Sequence, residues 1–363
     1  MTLYNGHGGN ILQICAAYGL QPSEVIDFSA NINPLGYPKG LTDALREELP
    51  IVRHYPDIDS SLLRKAIAQK TLHREEEVLI GSGSTEFIYL IPRALRPKKG
   101  LVFQPTYSDY AKALRLSGAV MDEIICREEE AFRCDLGHPL LRNGEFQLIF
   151  LCNPNNPTGV LLEREDIIHL AEGVKEGFIV VDEAFMDFVD ITERHSILQE
   201  AGRRKNIILL RSLTKFFAFP GLRLGYMVAH PEVIERMEEF KEPWTVNTLA
   251  QRAGLVALGD EEHSRRTRDF LRSERMFLYN EFSKIRAVRP IPPSANFILS
   301  KILYSPTAQE LQKHLIKKGI IIRDCSNFPG LEPQYFRVAV RTREENLRLV
   351  SSIKSALEEL SVK

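Results

Sequence analysis

The chain has few cysteines, no long apolar run and almost no net charge, and each shortage excludes something. Five cysteines in 363 residues, at 15, 126, 134, 152 and 325, are odd in number and scattered. No CxxC pair and no HExxH occurs, so neither a disulfide framework nor a zinc site is expected. The thiols read as the reduced ones of a cytoplasmic protein. No apolar stretch is long enough to span a bilayer, and the opening Met-Thr-Leu-Tyr-Asn-Gly-His-Gly-Gly lacks a signal peptide's charged and apolar regions. No membrane association is expected from that. A net charge of −1 gives no general reason to expect nucleic acid or an anionic membrane as a partner. No internal repeat and no low-complexity tract stands out. The rest is ordinary: 44% apolar and 26% charged residues suffice for a sizeable core, in two domains or one large domain with an appendage.

From Leu41 onward, helix and strand patterns alternate. Helices are expected over 41–49, 60–69, 86–95 and 163–175, and short apolar strands near 78–80, 101–103, 147–152, 178–181 and 206–210. This order predicts an α/β fold: a large domain with a mostly parallel central sheet covered by helices. A long helical stretch over 248–285 breaks near Gly259-Asp260, and beyond it strands at 295–300, 320–323 and 335–340 predict a smaller C-terminal α/β domain. The expected division is an N-terminal arm over 1–40, a large domain over 41–258 and a small domain over 259–363.

The chemistry gathers at strand ends. The run Asn206–Leu210 leads into Arg211-Ser-Leu-Thr-Lys215-Phe-Phe-Ala-Phe219, and Pro220-Gly221 turns the chain into a second apolar run. A lysine is a poor nucleophile while protonated. Apolar walls (Phe216, Phe217, Phe219) and a neighbouring cation (Arg223) lower its pKa and free the amine to condense with an aldehyde. With the Ser212 hydroxyl also near, the group suits an aldehyde bearing a phosphate, and pyridoxal 5′-phosphate is the usual one. A single lysine is more often a solvated surface residue. The spelling Ser-Leu-Thr-Lys followed by Gly-Leu-Arg-Leu-Gly is far more specific. Gly83-Ser84-Thr85 follows a strand and opens a helix, where backbone N–H groups can cup a phosphate, although such junctions commonly hold Gly and Ser anyway. Asp182 ends a buried strand; it either pairs with a protonated ring nitrogen or caps the next helix. Tyr107 either stacks on a flat ring, worth roughly 1 kcal/mol, or packs with Tyr110 in the core. Arg323 and Arg337 interrupt apolar strands, as salt-bridge partners or as a bidentate site for an anion. His7 and Asn31 lie in Gly- and Asn-rich segments that residue types alone assign to an ordinary arm.

These segments, with Asn153-Pro-Asn-Asn156-Pro-Thr-Gly159, resemble the class I/II aminotransferases and their relatives, the fold-type I pyridoxal phosphate enzymes, over almost the whole chain. The resemblance implies a cofactor held by Gly83, Ser84, Thr85, Tyr107, Asn156, Asp182, Ser212, Lys215 and Arg223. Asn156 would meet the ring hydroxyl. Tyr55 would reach the phosphate of a neighbouring subunit, which implies a homodimer. Many members carry a tyrosine where this chain has Phe185, so the ring-oxygen contact is expected to rest on Asn156.

Within the family, His7-Gly-Gly-Asn-Ile, Asp27-Phe-Ser-Ala-Asn31-Ile-Asn-Pro-Leu-Gly36, Asp182-Glu-Ala-Phe-Met-Asp-Phe188 and Tyr335-Phe-Arg-Val-Ala-Val-Arg341 are similar to a branch that decarboxylates a phosphorylated threonine for cobalamin synthesis. A near branch transaminates histidinol phosphate and shares the cofactor motifs, so the N-terminal segments carry the preference. That branch implies a small phosphorylated amino acid as substrate, surrounded by His7, Gly8, Asn31, Asn156, Arg323 and Arg337. Lys215 and Asp182 are the expected catalytic residues, with no metal. A binding protein of the same fold, acting as a regulator without turnover, is the alternative of another class. It is disfavoured because the lysine is kept and no DNA-binding segment precedes the arm.

Overall fold

The structure, a computed structural model, describes residues 8–143 and 145–361. Among them, thirteen strands fall into three sheets. The first strand, β1 (Ile26–Asp27), stands apart from the next seven. These are β2 (Val78–Gly81), β3 (Lys99–Gln104), β4 (Val120–Ile125), β5 (Leu148–Cys152), β6 (Phe178–Asp182), β7 (Ile207–Ser212) and β8 (Gly225–Ala229). They form one sheet in the order β2-β8-β7-β6-β5-β3-β4. The five strands from β7 to β4 pair in parallel, and β8 runs antiparallel to both β7 and β2. All strands but β8 therefore end on one edge of the sheet.

Central strands buried on both faces must be apolar throughout. The Leu-Ile-Phe-Leu-Cys of β5 and the Ile-Ile-Leu-Leu of β7 are, and every residue of these two strands is buried. Full burial of each such Leu or Ile stabilises by about 1.5–3 kcal/mol. Strand β4 was not expected from the sequence. Its Met-Asp-Glu breaks the apolar run because it is an edge strand, half exposed and charged, as edges that resist further pairing tend to be.

The remaining strands are β9 (Val288–Pro290), β10 (Phe297–Ile302), β11 (Ile320–Ile321), β12 (Arg323–Asp324) and β13 (Tyr335–Ala339). Four of them make an antiparallel sheet, β12-β13-β10-β9, while β11 pairs in parallel with β1. The single strand expected over 320–323 is thus two short ones serving different sheets. The helical stretch before them breaks at Asp260, which caps the helix Glu261–Ser283 by accepting from the His263 N–H.

The segment expected as an arm packs on these C-terminal elements. Ile14 of the helix Ile11–Tyr18 clusters with Ile316 and Ile321. Just past β1, the Phe28 carbonyl accepts from Ala339 N at 2.8 Å. That anchorage carries Ser29, Asn31 and Asn33 toward the edge where β2, β5, β6 and β7 end: Asn33 N donates to the Lys215 carbonyl at 3.1 Å. No helix of the described residues is long and apolar enough to cross a membrane.

Candidate active site

Lys215 follows the end of β7 by three residues. Its Nζ donates to Ser212 Oγ at 3.0 Å and lies 5.5 Å from the centroid of the Phe185 ring. Phe216, Phe217 and Phe219 are buried. Lys215 itself is half-buried. Desolvation lowers its pKa, Asp182 opposes that, and Arg223 lowers it further.

Asp182 is buried at the end of β6, in register with Cys152 of β5. Its Oδ1 accepts from Ala184 N at 3.0 Å and its Oδ2 from the Tyr110 hydroxyl at 2.8 Å. The aspartate therefore does cap a turn, and a second donor holds its other oxygen. Burial raises its pKa, while Lys215 and the two hydrogen bonds restrain the rise.

The helix after β2 begins at Ser84, two residues earlier than its apolar pattern. Gly83 makes this possible. Its φ of +80° suits glycine, and a Cβ there would lie 2.8 Å from Arg223 Nη2. The Arg223 guanidinium thus lies over the backbone that opens the helix. Gly225 is equally constrained, because a Cβ would fall 2.5 Å from Ser84 N. At a helix start the first N–H groups lack intrahelical partners and carry a partial positive charge. No side chain caps this one, so its first N–H groups lie open beside the Arg223 guanidinium, an arrangement that suits an anion. Tyr107, half-buried at the start of the helix Ser108–Leu116, hydrogen-bonds Thr85 and Asp109 through its hydroxyl. Tyr110 is the core residue of the two, stacked on Phe150 with centroids 5.1 Å apart.

In the Asn-rich turn after β5, Asn155 holds the backbone. It donates to the Pro105 carbonyl and accepts from Thr106 Oγ1, both at 2.8 Å. Asn156 is left to face outward, where its Oδ1 accepts from Arg337 Nη1. Arg337 and Arg323 lie directly opposite one another on β13 and β12, both buried. Arg337 Nη2 donates to the Ser29 carbonyl at 2.8 Å, and Arg323 Nη2 to Asn327 Oδ1 at 2.8 Å. Burial, then the Arg323 charge, brings the Arg337 pKa down to about 10, so it stays cationic near neutrality. No carboxylate among the described residues forms an ion pair with Arg337.

The N-terminal candidates divide. Asn31 is buried, and its Oδ1 has no hydrogen-bond partner among the described residues, a state that buried amides avoid unless a ligand meets them. Gly8 packs on Ser29 so closely that a Cβ would lie 2.2 Å from the Ser29 carbonyl oxygen. His7 lies outside the described residues. Tyr55 is not drawn into the site of its own chain: it is 80% exposed, beside Trp244 at 4.7 Å. The sequence reading missed Tyr110, Asn155 and Ser29. Only Asn155 had a signal, an amide inside turn chemistry.

A cleft of about 1040 Å³ opens elsewhere, behind the lysine loop, lined by Arg211, Phe216 and Phe217. Its lining carries five cations and five carboxylates, so its net charge favours neither sign of ligand. The described residues contain no cluster of His, Cys, Asp and Glu able to hold a metal.

The aminotransferase class I and II family model matches residues 23–353. The threonine-phosphate decarboxylase of Salmonella typhimurium is 36% identical over 98% of each chain. The adenosylcobalamin biosynthesis bifunctional protein of Leptospira interrogans is 34% identical over 96% of this chain and 41% of its own length. Among solved structures, the histidinol-phosphate aminotransferase from Clostridium acetobutylicum superposes with a TM-score of 0.85 at 28% identity, over 92% of this chain and 99% of that one.

Proposed function

The chain belongs to the aminotransferase class I and II family, and from that premise we propose that it decarboxylates L-threonine O-3-phosphate to (R)-1-amino-2-propanol O-2-phosphate, in cobalamin synthesis. The full-length identity to a threonine-phosphate decarboxylase supports the substrate, and the cobalamin relative supports the setting. One observation carries the reading. Two buried guanidiniums face each other on β12 and β13, and the N-terminal segment is fastened to one of them through Ser29. Like charges directly opposite on paired strands repel. A dianionic phosphate resolves that repulsion, and each guanidinium contact to it contributes roughly 1.5–3 kcal/mol.

The residues at the sheet edge fit pyridoxal 5′-phosphate part by part. Lys215 supplies an amine of lowered pKa for the aldehyde. Asp182 is a buried carboxylate placed to hold a proton on the ring nitrogen, and Asn156 Nδ2 is free to serve the ring oxygen, since Arg337 takes only its Oδ1. Ser212, Arg223 and the helix start at Gly83-Ser84-Thr85 make the phosphate cup, with Tyr107 beside Thr85. When bound, the cofactor supplies an electron sink for the bond that breaks at Cα.

This chain's side chains then choose the bond. Arg337 and Arg323, with Asn31, Gly8 and His7 from the N-terminal segment, grip the substrate's phosphate. Anchored there, the substrate would have its phosphate held at the β12–β13 side, leaving its carboxylate without a guanidinium of its own, which would favour loss of CO₂. Lys215 Nζ returns a proton to Cα. Phe185 leaves no phenol beside the lysine, so Asn156 serves the ring oxygen alone.

Tyr55, Leu49, Ile51, Val52 and Trp244 form an exposed apolar band, which supports a homodimer in which Tyr55 reaches the partner's cup. All five cysteines are free, which supports a cytoplasmic setting. The aminotransferase likeness favours a second reading, transamination of histidinol phosphate. Incubation of the protein and cofactor with each substrate, followed by mass spectrometry, tests the choice. The account expects 1-amino-2-propanol phosphate from phosphothreonine. A 2-oxo product from histidinol phosphate, and none of the amino alcohol, overturns it.

A further inference from the structure

We propose that Tyr110 is a positioning residue for Asp182: its hydroxyl fixes the carboxylate and keeps the shared proton on the cofactor's ring nitrogen rather than on the aspartate. The inference rests on the cofactor assignment above and adds a residue to it. Tyr110 is 1% exposed and lies in the first turn of the helix Ser108–Leu116, three residues after Tyr107. Its ring is clamped, stacked on Phe150 at 5.1 Å and 10° and met edge-on by Tyr107 at 5.6 Å and 76°. A clamped ring fixes its hydroxyl, and that hydroxyl donates to Asp182 Oδ2 at 2.8 Å while Ala184 N holds Oδ1 at 3.0 Å. Both oxygens are thus pinned from the protein side.

The consequence is electrostatic. A buried carboxylate tends to take up a proton, as the raised pKa of Asp182 records. If it did so here, the ring nitrogen would lose its proton and the cofactor much of its pull on electrons. Donors to the charged form oppose that transfer. The Tyr110 phenol is itself pushed well above its ordinary range by burial, so it donates without ionising. The nearby Cys152 thiol, raised to about 12 by burial, likewise adds no second anion. Among the described residues, the Asp182 hydroxyl donor in the hydrogen-bond network is Tyr110.

Tyr110→Phe keeps the ring and its stacking and deletes one oxygen. The full-length protein is reconstituted with pyridoxal phosphate labelled with ¹⁵N in the ring, and the nitrogen resonance is recorded beside the cofactor dissociation constant and the melting temperature. In the wild type the resonance is expected in the protonated range. In Y110F it should move toward neutral pyridine, with cofactor affinity reduced roughly tenfold, the worth of one net hydrogen bond. If Y110F does not fold, 3-fluorotyrosine incorporated at position 110, a stronger donor, should move the resonance the opposite way. A variant that folds, binds cofactor and leaves the resonance at its wild-type position overturns the inference alone. A wild-type protein that binds no cofactor overturns the assignment beneath it as well.

Discussion

The two sheet edges that flank the site bury charge in opposite ways. At the end of the seven-stranded sheet, charges are matched: Lys215 sits near Asp182, and Arg211 pairs with Glu183 at 2.8 Å. In the four-stranded sheet, two arginines are set against each other, and Arg337 is met by a carbonyl and an amide rather than a carboxylate. A matched pair is complete in the folded chain. The like-charged pair instead presents two guanidiniums side by side, a geometry that suits an anion. In the function proposed above, the first edge holds the cofactor, and the second edge, with the N-terminal segment fastened to it, is assigned the choice of substrate and how it lies.

That contrast can be broken by substitution. The largest effect is expected at the matched edge: Lys215→Ala should cut turnover by at least about 10³-fold and abolish the absorbance band of lysine-bound cofactor. Retention of both would remove the lysine from the account. Asp182→Asn should lower kcat by about 10²-fold with little change in KM, since it weakens the sink rather than the grip. At the like-charged edge the pattern should reverse. Arg337→Met is expected to raise KM for phosphothreonine by about 10–100-fold, from a loss of roughly 1.5–3 kcal/mol, and to leave the slow turnover of unphosphorylated threonine unchanged. Equal losses on both substrates would mean that Arg337 serves the carboxylate or the fold instead of the phosphate.

A smaller effect follows from pH. The folded-state pKa of Asp182 lies above its ordinary 3.8. In the window between the two values the native protein holds a proton that the unfolded chain has released. Asp182 therefore contributes its full stability below the ordinary value and loses it as pH rises through the folded one. Melting of the cofactor-free protein should fall in that window relative to Asp182→Asn. Parallel curves for the two proteins would contradict the assignment. The smallest change, a few-fold in cofactor affinity, is expected for Tyr55→Phe, the residue proposed above to reach a partner's cup; no change would remove Tyr55 from that proposal.

Legibility in the sequence followed the same divide. Lys215, Asp182 and Asn156 each sit in a short strand-and-turn motif, so local pattern sufficed to place them at strand ends and to foresee a parallel sheet. Tyr110 was not separable from Tyr107, because a three-residue spacing reads equally well as core. Ser29 acts through its main-chain carbonyl on an arginine 308 residues away, and a carbonyl leaves no mark on the residue type. The facing of Arg323 and Arg337 depends on the register between two strands whose starts, Arg323 and Tyr335, are twelve residues apart, and on the division of Ile320–Asp324 between two sheets, neither of which composition encodes.

The most direct measurement is release of ¹⁴CO₂ from carboxyl-labelled L-threonine O-3-phosphate by the protein with pyridoxal phosphate and no 2-oxo acid present. The account predicts sustained, many-turnover release. No release, together with amino transfer from histidinol phosphate that depends on an added 2-oxo acid, would contradict it.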